Sequence, residues 1–221
     1  MLEYIALHQF HQNFDTLMIC GDFGYIFRGD KDEDEFLDYI EKEANFDIIF
    51  VDGNHENFPK IYSYPIEQWN NGKVHRVRNN IRHLMRGEIY TINSKTFFTF
   101  GGGYSIDKER RLNYEKTYNR KIWWEKEFPT QEEIDNAYKN LEKYSWKVNY
   151  IITHSAPTNV LPMVSEFFIS SLKADVDIVN STLEDIRQKA EFDHWYFGHY
   201  HGNKEFDRFT LLYELSRNIE I

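Results

Sequence analysis

Asp47-Ile48-Ile49-Phe50-Val51-Asp52-Gly53-Asn54-His55-Glu56 carries the argument for the fold. Its first half is a short apolar run of strand length, rich in Ile, Val and Phe. Its second half is a glycine turn crowded with carboxylate, amide and imidazole groups. In open α/β folds, sites gather at the carboxyl ends of strands. The arrangement recurs three times. Residues 17–20 run into Gly21-Asp22-Phe23-Gly24, residues 148–152 into Thr153-His154-Ser155-Ala156-Pro157, and residues 194–197 into Gly198-His199-Tyr200-His201-Gly202. Residues 96–100 and 209–213 are further strand-length runs.

Helical patterns lie between these runs. Residues 30–44 are acidic at the start and place Phe36, Leu37 and Ile40 on one face. Thr130 and Glu133 form a capping-box signature after Pro129, followed by Ile134, Ala137, Tyr138 and Leu141 at helical spacing. Ser181 and Glu184 repeat the capping signature. Residues 1–14 carry Leu2, Ile5, Ala6 and Phe10 near helical spacing and predict an opening helix. Strands alternating with helices predict a layered α/β fold.

Composition bounds the function. Aromatic residues make up 17% of the 221, which excludes global disorder. A single cysteine, Cys20, excludes an internal disulfide framework and points to a reducing, cytoplasmic compartment. No apolar run approaches the ~18 residues of a membrane span, so no membrane partner is expected. The 26 basic residues against 36 acidic ones give a net charge of −10, which argues against long nucleic acids as partners. An anionic substrate would need local positive charge, such as a metal. With no linker or repeat, residues 1–221 are expected to form one domain.

The four turns offer Asp22, Asn54, His154, His199 and His201, an oxygen and imidazole set that suits Mn, Fe, Zn or Ni. Singly, each has a blander reading. Gly-Asp is a common turn, His-x-His is often a surface feature, and Asn54 with Glu56 could cap a helix. Extended backbone would aim His199 and His201 the same way, whereas a loop would splay them.

In this order, Gly-Asp, Gly-Asn-His-Glu, Thr-His-Ser-Ala-Pro and Gly-His-x-His resemble the calcineurin-like metallophosphoesterase superfamily. The resemblance runs from Asp22 to His201, and the segment 101–108 is similar to one in bacterial and phage members. It implies a four-layer αββα sandwich holding up to two divalent metal ions. Asp22 would bridge both ions, Asn54, His154 and His199 would bind the second, and His201 the first. His55 would face the phosphoryl group unligated and assist the leaving oxygen. The implied reaction is hydrolysis of a phosphate mono- or diester by a metal-bridging hydroxide, with the phosphorylated substrate's class left open. The family's opening strand, which ends in Asp-x-His, has no counterpart before Asp22. His8 and His11 lie on the predicted opening helix instead. The first strand is therefore expected to be missing, through a start downstream of the true one or as a natural variant. The alternative function is a non-catalytic or impaired metal-binding protein on the same scaffold.

Other signals carry less. Asp22-Phe23-Gly24 lacks the companions of a kinase, and Gly101-Gly102-Gly103 lacks the Lys-Ser/Thr of a P-loop. His75, Arg76, Arg78, Arg82, His83 and Arg86 read as a solvated basic face, with anion contact as the alternative. Trp123 and Trp124 read as packing residues, and Cys20 as an inert buried thiol. Residues 104–146 could form a lid, with Arg110 or Arg111 either reaching a phosphate or pairing with neighbouring acids.

Overall fold

Residues 15–168 and 177–219 are described by the computed structural model, without the side chains of 165–168. The opening helix expected over 1–14, with His8 and His11, lies outside them.

β1 (Thr16–Ile19) and β2 (Asp47–Phe50) run parallel and are joined through α1 (Lys31–Glu43). The Asp30 side chain caps α1 by accepting from Glu33 N. Side chains along β2 alternate between two cores. Ile48 and Phe50 pack with Leu37 and Ile40 of α1, whereas Ile49 and Val51 join Val74, Leu84, Tyr90 and Ile152 on the other face. A strand buried on both faces has to be apolar throughout, as this run is.

The short α2 (Phe58–Ile61) leads to β3 (Ile66–Trp69), β4 (Gly72–Arg78) and β5 (Ile81–Leu84). These complete a five-stranded mixed sheet of order β1-β2-β5-β4-β3. β6 (Ile89–Ile92) and β7 (Lys95–Phe100) open the second sheet. Then come α3 (Lys108–Tyr118), a 3-10 turn (Glu125–Glu127), α4 (Gln131–Lys143) and β8 (Lys147–Thr153). The chain continues through α5 (Leu161–Phe168), α6 (Ile178–Lys189), β9 (Glu191–Phe197), β10 (Lys204–Phe206) and β11 (Phe209–Leu211). This six-stranded sheet has the order β10-β11-β9-β8-β7-β6, with its central strands parallel.

The layers follow from which faces are apolar. Phe97 and Ile152 face the first sheet, while Phe98, Phe100 and Ile151 face outward under α4 and α6. From α4 come Ile134, Ala137 and Leu141; from α6 come Val179, Leu183 and Ile186. The result is two mixed sheets flanked by helices, as expected. Among the described residues no helix is long and apolar enough to cross a membrane.

All six expected strands form. β3, β4, β5, β6 and β10 were not expected. Three of them flank short turns: Asn70-Asn71 between β3 and β4, and Asn93-Ser94 between β6 and β7, both take positive φ, the geometry of a two-residue hairpin. The Thr130 capping box forms as expected. The one at Ser181 does not. Asp177 caps α6 by accepting from Asn180 N at 2.9 Å, and Ser181 donates back to Asp177 O inside the helix. Asp177→Ala is therefore expected to cost about 1 kcal/mol. Ser181→Ala should stay within about 0.5 kcal/mol. Urea unfolding midpoints of the two variants check the assignment.

Candidate metal centre

Parallel strands bring their carboxyl ends to one edge of the sandwich, and the donor-bearing turns meet there. Asp22 follows β1, Asn54 and His55 follow β2, His154 directly follows β8, and His199 follows β9. The turns are tight. Gly21 takes a φ of +89° and lies so close to the His154 ring that a Cβ would collide with it. Asp22 and His199 themselves have positive φ, +54° and +69°. Such backbone persists in non-glycine residues only where surrounding contacts enforce it, and it clusters at functional sites.

His154 Nδ1 lies 2.8 Å from the Cys20 carbonyl, so Nδ1 carries a hydrogen, and in the neutral ring Nε2 is left with its lone pair. That lone pair faces Asn54 Oδ1 at 3.1 Å, with Asp22 Oδ2 at 3.5 Å and His199 Nδ1 at 3.1 Å. Asn54 Nδ2 donates to Ser105 Oγ at 3.0 Å, which turns the amide oxygen toward His154. Two acceptors thus oppose each other beside a carboxylate. A positive charge among them, either a proton or a metal ion, resolves the conflict. The donor chemistry fits a divalent cation. The geometry stops short of a finished cage: among the described residues no three His, Cys, Asp or Glu side chains are set to hold a metal as they stand.

Electrostatics agree with a cation site. Burial works to raise the Asp22 carboxyl, but His154, His55 and His199 around it hold it below its usual value. Burial, with His154 second, pushes His199 down to about 3, leaving a neutral imidazole free to ligate. Cys20 is driven up to about 12 by burial, which fits the inert thiol expected.

Two expected site residues stand apart. His201 is exposed on a positive-φ turn, its ring stacked on Tyr213 with centroids 4.8 Å apart. His199 and His201 are thus splayed rather than aligned. His55 N donates to Asp22 Oδ1 at 3.0 Å, while its ring contacts the Arg111 guanidinium. Burial lowers the His55 imidazole; Asp22 opposes this and Arg111 adds to it. Arg111 also bonds Asp107 at 2.9 Å and Asn54 O at 3.1 Å, and Arg110 bonds Asp107 at 2.8 Å. Pairing with a neighbouring acid is therefore what both arginines do. Asn54 caps no helix; Asn57 caps α2.

The expected solvated basic face is corrected. Arg76 remains exposed, but His75, His83 and Arg86 are buried. Arg86 forms an ion pair with the fully buried Asp52, two residues before Asn54. His83 Nε2 donates to Asp52 Oδ1 at 3.0 Å, and its Nδ1 shares a hydrogen bond with His75 Nδ1 at 3.0 Å. Burial opposes ionisation of Asp52, yet Arg86 and His83 hold its carboxyl far below the usual range. Glu56 is a second residue whose role the sequence reading missed. It accepts from Phe23 N at 2.8 Å and Gly53 N at 2.7 Å, tying two donor turns together. Its place in Gly-Asn-His-Glu was the available signal.

The family model for calcineurin-like phosphoesterases matches residues 1–203. No curated protein matches the chain.

Removing Arg86 would strand the Asp52 charge. Arg86→Met is expected to cost about 3–5 kcal/mol by chemical denaturation. His75 gives a pH dependence. Burial first and His83 second lower its imidazole from 6.5 to about 4. Between those values the unfolded chain binds a proton that the folded chain does not. The His75 contribution is thus complete above pH 6.5 and declines as pH falls through 4. Urea midpoints across this window should show a shallower slope for His75→Asn than for the wild type.

Proposed function

Because the chain belongs to the calcineurin-like phosphoesterase family, we propose that it hydrolyses a phosphate ester with metal held at the Asp22–Asn54–His154–His199 cluster. The observation that carries this reading is the facing of Asn54 Oδ1 and His154 Nε2 across 3.1 Å, beside Asp22 and His199. A divalent ion bound there would supply a Lewis acid for phosphoryl oxygens and lower the pKa of a water molecule. Asp22, Asn54, His154 and His199 would hold it. His201 would join Asp22 at a second position, which requires its ring to leave Tyr213. His55 stands beside the cluster with its backbone tied to Asp22 and its ring against Arg111, and in this reading the ring donates a hydrogen bond to the leaving oxygen. Arg111, with its donors engaged by Asp107 and Asn54 O, braces His55 rather than waiting free for substrate.

The protein in this reading retains nearer one metal ion than two per chain after dialysis, since four donors converge while His201 stands apart. Manganese-dependent hydrolysis of an aryl phosphate is expected, abolished by a chelator and restored by the metal. Asn54→Ala and His154→Ala should lose metal. His55→Ala should keep it and lose about a hundredfold or more in turnover. Metal retention without hydrolysis of any phosphate ester would favour the non-catalytic alternative. Equal metal loss in His55→Ala and His154→Ala would remove the role given to His55.

A further inference from the structure

Asn54 serves a cation only if its carboxamide presents oxygen rather than nitrogen. The two ends are nearly identical in shape, so packing alone does not choose between them. The choice is made on the far side of the amide. Asn54 Nδ2 donates to Ser105 Oγ at 3.0 Å. The Ser105 hydroxyl has a single hydrogen, and it is given to Glu127 Oε2. Glu127 Oε1 accepts from Ser105 N at 3.3 Å, so the carboxylate grips both donors of this serine. Ser105 and Glu127 are each fully buried. The backbone of Glu127 is anchored in turn: its carbonyl accepts from Gly103 N at 3.2 Å and from Arg86 Nη2 at 3.4 Å.

We propose that Glu127, acting through Ser105, is a positioning residue that orients the Asn54 amide and thereby sets the affinity of the centre for a divalent cation. The proposal rests on the reading of Asn54 as a metal ligand. Burial raises the Glu127 carboxyl, and the two Ser105 donors oppose that shift by favouring the charged form. While ionised, the carboxylate can only accept, so it draws the serine hydrogen toward itself and leaves the serine oxygen as acceptor for Asn54. A glutamine of the same shape could donate to Ser105 Oγ instead. The freed hydroxyl would then donate toward Asn54, favouring the amide oxygen on the Ser105 side and the nitrogen toward His154. The stretch between β7 and β8 is on this view part of the metal centre's support.

The test is equilibrium binding of Mn2+ alone, read by the EPR signal of the free ion, with folding followed by near-UV circular dichroism. Glu127→Gln is expected to weaken Mn2+ binding by about 10–100-fold with the fold intact. Ser105→Ala should weaken it too. Adding Glu127→Gln to Ser105→Ala should change affinity by less than about twofold, because the glutamate acts through the serine. Wild-type affinity in Glu127→Gln, with Asn54→Ala impaired, overturns the proposal and leaves the metal reading standing. Additive losses in the double variant also overturn it. Should Glu127→Gln not fold, Ser105→Ala decides: unchanged affinity there refutes the relay. Failure of the wild type to bind Mn2+, or an Asn54→Ala variant binding like wild type, overturns the metal reading and this proposal with it.

Discussion

The buried pair of Asp52 and Arg86 is the constraint from which the site's architecture follows. Asp52 lies at the carboxyl end of β2 with no solvent exposure, and Arg86 follows β5 almost as deeply. Their contacts reach several neighbours. The Asp52 carbonyl accepts from Gly102 N at 2.8 Å, joining the β2 turn to the turn after β7. Arg86 bonds Lys126 O at 2.9 Å and the Glu133 carboxylate at 3.3 Å, joining the same point to the 3-10 turn and α4. Two charges out of water are costly, and only paired geometry with further hydrogen bonds offsets that cost. A network so connected has few alternative arrangements, and Asn54 sits two residues from it.

Orientation at the donor cluster comes from partners just as fixed. The Cys20 carbonyl selects the His154 tautomer. Ser105 selects the Asn54 amide orientation. Glu56 ties the Asp22 turn to the Gly53 turn. None of these partners belongs to the set that converges around His154 Nε2, yet Cys20 and Ser105 bear on which atom His154 and Asn54 present, and Glu56 holds two of the turns together. Outer partners commonly have this influence at metal centres.

Much of the fold was legible. The run 47–51 is apolar at every position after Asp47 because β2 is buried on both faces, so its strand signal was continuous. Helix α1 was bounded within a residue, since Asp30 is a strong cap and Leu37 and Ile40 mark the buried face. β4 was not legible. Its buried His75 alternates with Arg76 and Arg78, and only the ion-paired Asp52 opposite His83 makes an imidazole pair tolerable inside. The cap at α6 was misplaced because Ser181-Glu184 and Asp177-Asn180 both carry capping residue types, and packing chose the earlier pair. Asn180 is drawn inward by Ser155 Oγ at 2.9 Å and Ala156 O at 2.8 Å.

Sequence alone determined the strand-turn units and their donor-bearing residues, because apolar periodicity and glycine turns are local properties. Tertiary structure decided the rest. It brought Asn54 and His154, a hundred positions apart, within 3.1 Å, and left His201 stacked on Tyr213 two residues from His199. It also turned residues that read as a charged surface into a buried brace. The physical reason is the same in each case. Whether a polar side chain ends up inside depends on the partner that meets it there, and that partner arrives through packing from a distant part of the chain.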